Sequence, residues 1–451
     1  MSSNRHRRWF HYSLVGLLVF LCLAMTLAAF LLLRRGKLPR TGVINGSSME
    51  PVLQGPRFEW TCSHCSSLQS FALDTCKSNQ PFRCPTCNIL HGDSAVDMDD
   101  VKSVKERMRP GEQVRFATLR SVRTLRAAEI ASGVVQPSGM QRGDIVVFQE
   151  SVSGKREVKR VVGFAGEHVS IVGGDVLVNG ERWSKALQQT LRQSILVHAW
   201  DPSNALGRPK NSVQQDAGWK AARGHFQGEL NAELGELTFS TRSNGAIDNQ
   251  LPLNAHDSHA IKLVHDFGFA LQITQPDEVW SLDCNFCSPT SRPKVTVALT
   301  KRTITITSME QVAKKELVQT ENQSIWLVVA MVDGELIVGS QDEEWLRTRL
   351  PKVSVDVESA IQVTRPPIVL SVPTGRLVVD QLLVFRDIYY RGQLDSETQT
   401  WEPGDHVVVL GDNVSASSDS RDRWPDGLPT NAVKGIVLQT ENPMECLLKQ
   451  R

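Results

Sequence analysis

The sequence predicts a mainly β protein carried on one N-terminal membrane-spanning helix. Three observations point there. Leu14 to Leu33, LVGLLVFLCLAMTLAAFLLL, holds no charge and no proline. From residue 110 onward the chain is a succession of short β-branched runs, each bounded by Gly, Asp or Asn. Amphipathic helical periods are rare after the apolar run, with the stretches 103–109 and 118–131 as the exceptions. At 451 residues the chain has room for two or three domains, and its net charge of +1 lacks the basic excess of a nucleic-acid binder.

At about 1.5 Å per residue the 14–33 run spans roughly 30 Å, the thickness of a bilayer's hydrocarbon core. That is too long for the core of a cleaved secretory signal, and LLLRRGK follows where a small-residue cleavage site would stand. An uncleaved anchor is expected. Charge does not orient it, because Arg5, Arg7 and Arg8 precede the run while Arg34, Arg35, Lys37 and Arg40 follow it. With no second long apolar run, everything after residue 40 is expected on one side of the membrane.

Just past the anchor, residues 46–51 read GSSMEP. Ser48 becomes a nucleophile only if a neighbouring base takes its proton. None of the eleven histidines sits in a G-x-S-x-G or H-E-x-x-H setting, which leaves a Ser-His-Asp triad without support. A lysine is the other option. Lys159, in EVKRVVGFAGEHV (157–169), is surrounded by Val158, Val161 and Val162, and burial there would bring its pKa toward the working pH. Strand alternation puts Lys159 and Arg160 on opposite faces, so one can face a site while the other pairs with a carboxylate. The plain alternative is an edge-strand Lys-Arg pair kept for solubility.

The runs RGDIVVF (142–148), HVSIV (168–172), DVLVNG (175–180) and HVVVLG (406–411) read as strands. The last leads into LGDNVSASSDSRD (410–422), where Ser417, Asp419 and Arg421 alternate. An extended segment would put those three on one face, a hydroxyl to orient a neutral lysine and an Asp-Arg pair to brace the loop. A polar surface turn is the simpler alternative.

Residues 57–109 carry most of the cysteines. Cys62-x-x-Cys65 and Cys84-x-x-Cys87 are separated by eighteen residues, with Cys76 between them. Paired knuckles at that spacing suit four thiolates around one tetrahedral zinc, a closed structural site with no open position for catalysis. Disulfides are the competing expectation for an exported domain. Cys284-x-x-Cys287 stands alone and reads as a local disulfide or two ordinary thiols.

GSSMEP, RGDIVVF, VKRVVGFAGE and GDNVSASSDSR occur in that order behind an apolar anchor. The chain thereby resembles the type I signal peptidases, Ser-Lys endopeptidases whose pattern runs S-M-x-P, R-G-D-I-V-V-F, K-R-x-x-G-x-P-G-D and G-D-N-x-x-x-S-x-D-S-R. The resemblance implies Ser48 as nucleophile and Lys159 as general base. Ser417 takes the place of the serine that hydrogen-bonds the lysine, Arg160, Asp419 and Arg421 the bracing positions, and Gly411 the close-packed glycine. DVLVNG and LPTNAVKGIV extend the similarity, which covers roughly residues 1–56, 110–184 and 376–440.

Ala165 and Glu167 depart from the family's Pro and Asp. Gly46 stands where many relatives carry a serine hydroxyl that helps hold the oxyanion. Gly46 and Ser47 thus belong to the segment shaping the oxyanion hole, with the Ser48 N–H as its donor.

By the same resemblance no cofactor is needed for catalysis, and the partners are signal peptides of exported preproteins and the lipid bilayer. The expected location is the inner membrane, single-pass, with the N-terminus cytoplasmic and the catalytic domain outside. The expected domains are 1–37 (tail and anchor), 38–56 (serine box), 57–109 (zinc-ribbon-like insertion), 110–184 (lysine box), 185–375 (β-sandwich-like insertion) and 376–451 (the GDN-SDSR box). Within the 185–375 block, KVTVAL (294–299), TITITS (303–308) and a hairpin cue at Asp333-Gly334 read as strands, and GELTFSTRSNG and WLVVAMVDGELIVG resemble stretches of concanavalin-like sandwiches. A spacer and a carbohydrate- or protein-binding module both fit that block. Two rival functions stand beside the peptidase. One is a vestigial, membrane-anchored binding protein using ribbon and sandwich. The other is a Ser-Lys peptidase that cleaves itself or a regulator.

Overall fold

The computed structural model describes residues 39–64, 68–75, 82–83, 90–91, 108–132, 135–150, 153–200, 213–215, 219–222, 225–229, 236–239, 247–251, 261–274, 279–287, 293–300, 303–309, 311–316, 324–351, 367–439 and 441–450, together with Met25 and Asn254. Strands dominate throughout, as the β-branched runs predict. The chain divides into two compact units.

The first unit comprises Met1–Val43, Gln113–Val158 and Asn431–Gln439. Its strands Arg40–Val43, Gln113–Thr118, Val433–Val437 and Ile145–Gln149 pair antiparallel in that order. RGDIVVF supplies the last of these, with Ile145 to Phe148 all buried. The helical period at 118–131 becomes two short helices, Leu119–Leu125 and Ala127–Ala131. The Thr118 hydroxyl caps the first by accepting from the Ser121 N–H. Between them, Arg126 holds Asp144 through two hydrogen bonds of 2.6 and 3.0 Å, fixing the turn that starts the Ile145 strand.

The second unit comprises Ile44–Glu112, Lys159–Thr430 and Thr440–Arg451. The strand Arg156–Gly163 enters it at Lys159, and strand His406–Leu410 runs antiparallel beside it, with Leu410 opposite Arg160 and Val409 opposite Val161. Gly163 lies where a side chain would strike Val169 and Val408. Strands Val169–Val172, Asp175–Val178, Glu181–Arg182 and Thr398–Trp401 form a four-stranded sheet. A small sheet joins Leu68–Ala72, Arg57–Thr61 and Met108–Arg109. The helical expectation for 103–109 fails at its end, because Met108 and Arg109 are extended and pair with Phe58 and Arg57. Pro110 follows directly and disfavours helical backbone at Arg109.

Two larger sheets of eight and seven strands also belong to this unit. The first centres on Arg376–Arg386, Phe267–Thr274 and Ile325–Val332, the second on Ile368–Thr374, Trp280–Phe286 and Lys294–Thr300. Period-two alternation gives each an inner face: Phe267, Phe269 and Leu271 share one core with Trp280, Leu282, Cys284 and Phe286. Cys284 and Cys287 are thiols, not a disulfide, and burial pushes the Cys284 thiol up, with Asp283 adding to it. The Asp333-Gly334 hairpin forms as its sequence predicts, with both residues at positive φ. At its tip Lys185 binds Asp333 at 2.7 Å and Asp387 at 2.9 Å, so one buried ammonium ties the chain entering the sheets to the strand leaving them. Burial alone would pull that amine down, but the two carboxylates outweigh it and hold it above the ordinary lysine range.

Among the described residues no helix is long and apolar enough to cross a membrane, and the 14–33 run, Met25 apart, lies outside them. Cys62 is buried just after strand Arg57–Thr61, while Cys65, Cys76, Cys84 and Cys87 lie outside the described residues.

Candidate active site

The serine stretch folds as a run of turns. Glu50 N–H donates to the Ser47 carbonyl and Leu53 N–H to the Met49 carbonyl, while Met49 and Glu50 are fully buried. The Glu50-Pro51 peptide is cis. Ser47 N–H donates to Asp74 Oδ2 at 3.0 Å, which ties the stretch to the Cys-rich segment. The Gly46 backbone lies so close to Gly55 that a side chain on Gly55 would meet its carbonyl at 2.6 Å. Ser48 is thus presented from a loop anchored on both sides.

Lys159 comes from the valine-rich strand and is 3% exposed. Its Nζ lies 2.8 Å from Ser48 Oγ, across 111 residues of sequence. Val161 and Val162 beside it are fully buried, as the valine-rich sequence predicts. Strand alternation sends Arg160 the other way, into a buried pair with Asp412. Burial would lower the Arg160 pKa, but the charge and hydrogen bonds of Asp412 outweigh it and keep the guanidinium protonated.

The strand His406–Leu410 delivers the third stretch. Gly411 has no room for a side chain: a Cβ there would come within 2.1 Å of Ser417 Oγ and 2.5 Å of the Ser48 carbonyl oxygen. That carbonyl accepts from the Asn413 N–H at 3.1 Å, so the turn grips the serine loop through its backbone. Ser417 Oγ donates to Asp419 Oδ2 at 2.8 Å, and the same oxygen accepts the Gly411 N–H at 2.8 Å. Arg421 holds Asp419 in a fork, Nε to Oδ1 and Nη2 to Oδ2, both at 2.8 Å. Burial would raise the Asp419 pKa, but Arg421 and the N–H groups of Gly411 and Arg421 overcome it and hold the carboxylate below its usual range.

Ser417, Asp419 and Arg421 converge through turns around Asp419, whose carbonyl accepts from both Asp422 and Arg423, rather than through an extended segment. Short polar side chains that bond nearby N–H groups favour such turns over a strand.

Three further residues belong to this framework. Asp412 neutralises Arg160; the signal was a buried arginine in a strand, which requires a carboxylate partner. Asp74 orients Ser47, and nothing in the sequence around Asp74 announces it. Asn413 exchanges side-chain hydrogen bonds of 2.8 and 2.9 Å with Asn254, a pairing between distant segments that local pattern does not reveal.

The family model for signal peptidase, peptidase S26, matches residues 99–224, a segment that contains the lysine strand. The chain resembles a type I signal peptidase. A signal peptidase I from Leptolyngbya laminosa is 31% identical over 94 residues, covering 18% of this chain and 44% of that protein. The chain therefore spans under half the length of that curated relative. Among solved structures, a non-specific endo-beta-1,3(4)-glucanase of family GH16 is 10% identical with a TM-score of 0.26, covering 50% of this chain and 97% of the other. The catalytic domain of an endo-1,3-beta-glucanase from Thermotoga petrophila RKU-1 is likewise 10% identical, with a TM-score of 0.25, covering 43% and 98%.

Proposed function

We propose that this chain is a membrane-anchored serine endopeptidase that removes N-terminal signal peptides from exported preproteins. The observation that carries the reading is the 2.8 Å approach of the buried Lys159 amine to the Ser48 hydroxyl. That distance suits direct proton transfer, and an amine in apolar surroundings is more easily kept neutral than one in water.

In the proposed reaction neutral Lys159 takes the Ser48 proton as the oxygen attacks the scissile carbonyl. The Ser48 N–H, with the Gly46–Ser47 backbone beside it, receives the oxyanion. Lys159 then returns its proton to the leaving amine, which departs with the mature protein, and an acyl-enzyme remains on Ser48. Water, losing its proton to the same lysine, releases the signal peptide and restores the hydroxyl. The chain's own residues suffice for every step. Asp419, Arg421 and Ser417 hold Gly411 and the serine loop in register, and Arg160 with Asp412 fixes the strand that carries the lysine.

The apolar 14–33 run would place this site at the bilayer surface, where a membrane-held signal peptide presents small residues in an A-x-A pattern. The four cysteines Cys62, Cys65, Cys84 and Cys87 would hold a structural zinc. Cleavage of an A-x-A preprotein in detergent tests the reading. The parent should process it, while Ser48→Ala and Lys159→Ala should each lose nearly all turnover and Cys284→Ser should match the parent. Equal turnover by the parent and Lys159→Ala would remove the Ser-Lys assignment.

A further inference from the structure

Behind the Asp412–Ser415 turn lies a small cleft lined by Arg386, Arg391, Asp412, Leu251, Ile388 and Ser415. Arg386 is 2% exposed and donates only to carbonyls: Nη1 to Asp387, Nη2 to Asn249 at 2.9 Å and to Gln250 at 3.3 Å. No carboxylate among the described residues forms an ion pair with it. Burial pulls its guanidinium down to about 10, Arg391 pulls the same way, and the charges of Asp248 and Asp387 only partly oppose them. Asp387 is already engaged by Lys185.

Arg391 is 5% exposed, and neither its Nε nor its Nη1 makes a hydrogen bond among the described residues. Its nearest counter-ion is Asp395, half-exposed, with Oδ1 3.1 Å from Nη1 but outside hydrogen-bonding geometry. Asp412 also lines the cleft, but its two carboxylate oxygens are spent on Arg160. The cleft therefore brings together two buried guanidinium groups, unmade N–H bonds and no free negative charge.

A buried cation with no ion pair of its own, as at Arg386, is costly, and the unmade N–H bonds of Arg391 add to that cost. Water would satisfy the N–H groups and leave the charge standing. The cleft has room for about one water-sized particle, which suits a monatomic ion better than a phosphate ester or a larger carboxylate. Its apolar walls, Leu251 and Ile388, suit a weakly hydrated ion.

We propose that this cleft is a binding site for a small monovalent anion of halide size, held between Arg391 and Arg386. The anion would complete the bonds of Arg391, neutralise Arg386 and support the turn whose Asn413 N–H grips the Ser48 carbonyl. The proposal does not depend on peptidase activity.

The test uses the full chain in detergent, titrated with sodium chloride, sodium bromide or sodium gluconate at constant ionic strength. Chloride and bromide should raise Tm saturably by a few degrees, because a ligand bound only by the folded state shifts unfolding. Gluconate, too large to enter, should not. Chloride-35 line broadening should exceed that of Arg391→Gln and be reversed by bromide. Equal Tm curves in chloride and gluconate, or broadening unchanged in Arg391→Gln, would mean that water alone fills the cleft. If Arg391→Gln does not fold, the chloride-gluconate comparison and bromide competition on the parent still decide.

Discussion

Arg160 and Asp412 form a two-pronged ion pair with neither side chain reached by solvent, directly behind the strand residue that carries the candidate base. Asp412 opens the GDN turn and Arg160 follows Lys159, so the pair clamps the turn to the lysine strand across 252 residues of sequence. With Arg160 on one face of the strand, Lys159 lies on the other, toward Ser48.

Removing one partner leaves the other charge buried. Asp412→Asn should therefore lower stability by about 3–5 kcal/mol, read as a drop in the urea midpoint. An Arg160→Met/Asp412→Leu double variant, which removes both charges, should recover most of that loss. A double variant as unstable as Asp412→Asn would show that the pair is not what the single change disrupts.

Gly411 predicts a catalytic defect without unfolding. An added methyl would overlap Ser417 Oγ and the Ser48 carbonyl oxygen, and the loop would have to move by about 1 Å to relieve it. Gly411→Ala should lower kcat/KM by about 10²-fold, the scale of a misplaced reacting group, with far-ultraviolet circular dichroism unchanged. Full activity in that variant would mean that the turn and the serine loop do not need this close approach.

Much of this arrangement was legible because it is local and chemical. The valines around Lys159 announce burial, RGDIVVF announces a strand, and Asp333-Gly334 announces a hairpin. What escaped is what depends on long-range closure. Asp74 and Ser47 are 27 residues apart, and Asn254 and Asn413 are 159 apart. Neither pairing has a periodic signature. The alternation of Ser417, Asp419 and Arg421 implied an extended backbone, and turn chemistry at Asp419 overrode it. Met108–Arg109 went to a strand for the converse reason, as Pro110 and the free edge of Arg57–Thr61 outweighed a weak helical period.

Lys159→Arg separates charge from proton transfer. Arginine keeps a cation beside Ser48 Oγ, but its guanidinium does not lose a proton in the accessible range. The variant should fold and remain inactive, with turnover reduced about 10³-fold or more between pH 7 and 10. The parent's kcat/KM should instead rise with pH as the lysine becomes neutral. Measurable turnover in Lys159→Arg with the parent's pH profile would assign the base role to another group.

Glu50 supplies a pH dependence of stability whose sign is fixed by its burial. Its side chain is wholly inaccessible, Oε1 accepts the Gly55 N–H at 2.9 Å, and Oε2 has no partner among the described residues. Burial raises its pKa from 4.5 to about 8; the Gly55 bond opposes the rise and Asp74 adds to it. The folded chain therefore holds a proton that the unfolded chain has released between those values. Stability from this group is complete below pH 4.5 and declines as pH climbs toward 8, by at most about 1.4 kcal/mol per unit. Glu50→Gln keeps an acceptor for Gly55 and carries no charge, so its advantage over the parent should be smallest near pH 4 and grow steadily to pH 8. Urea unfolding of both chains across that range gives the difference directly, and parallel curves would show that Glu50 does not titrate with folding.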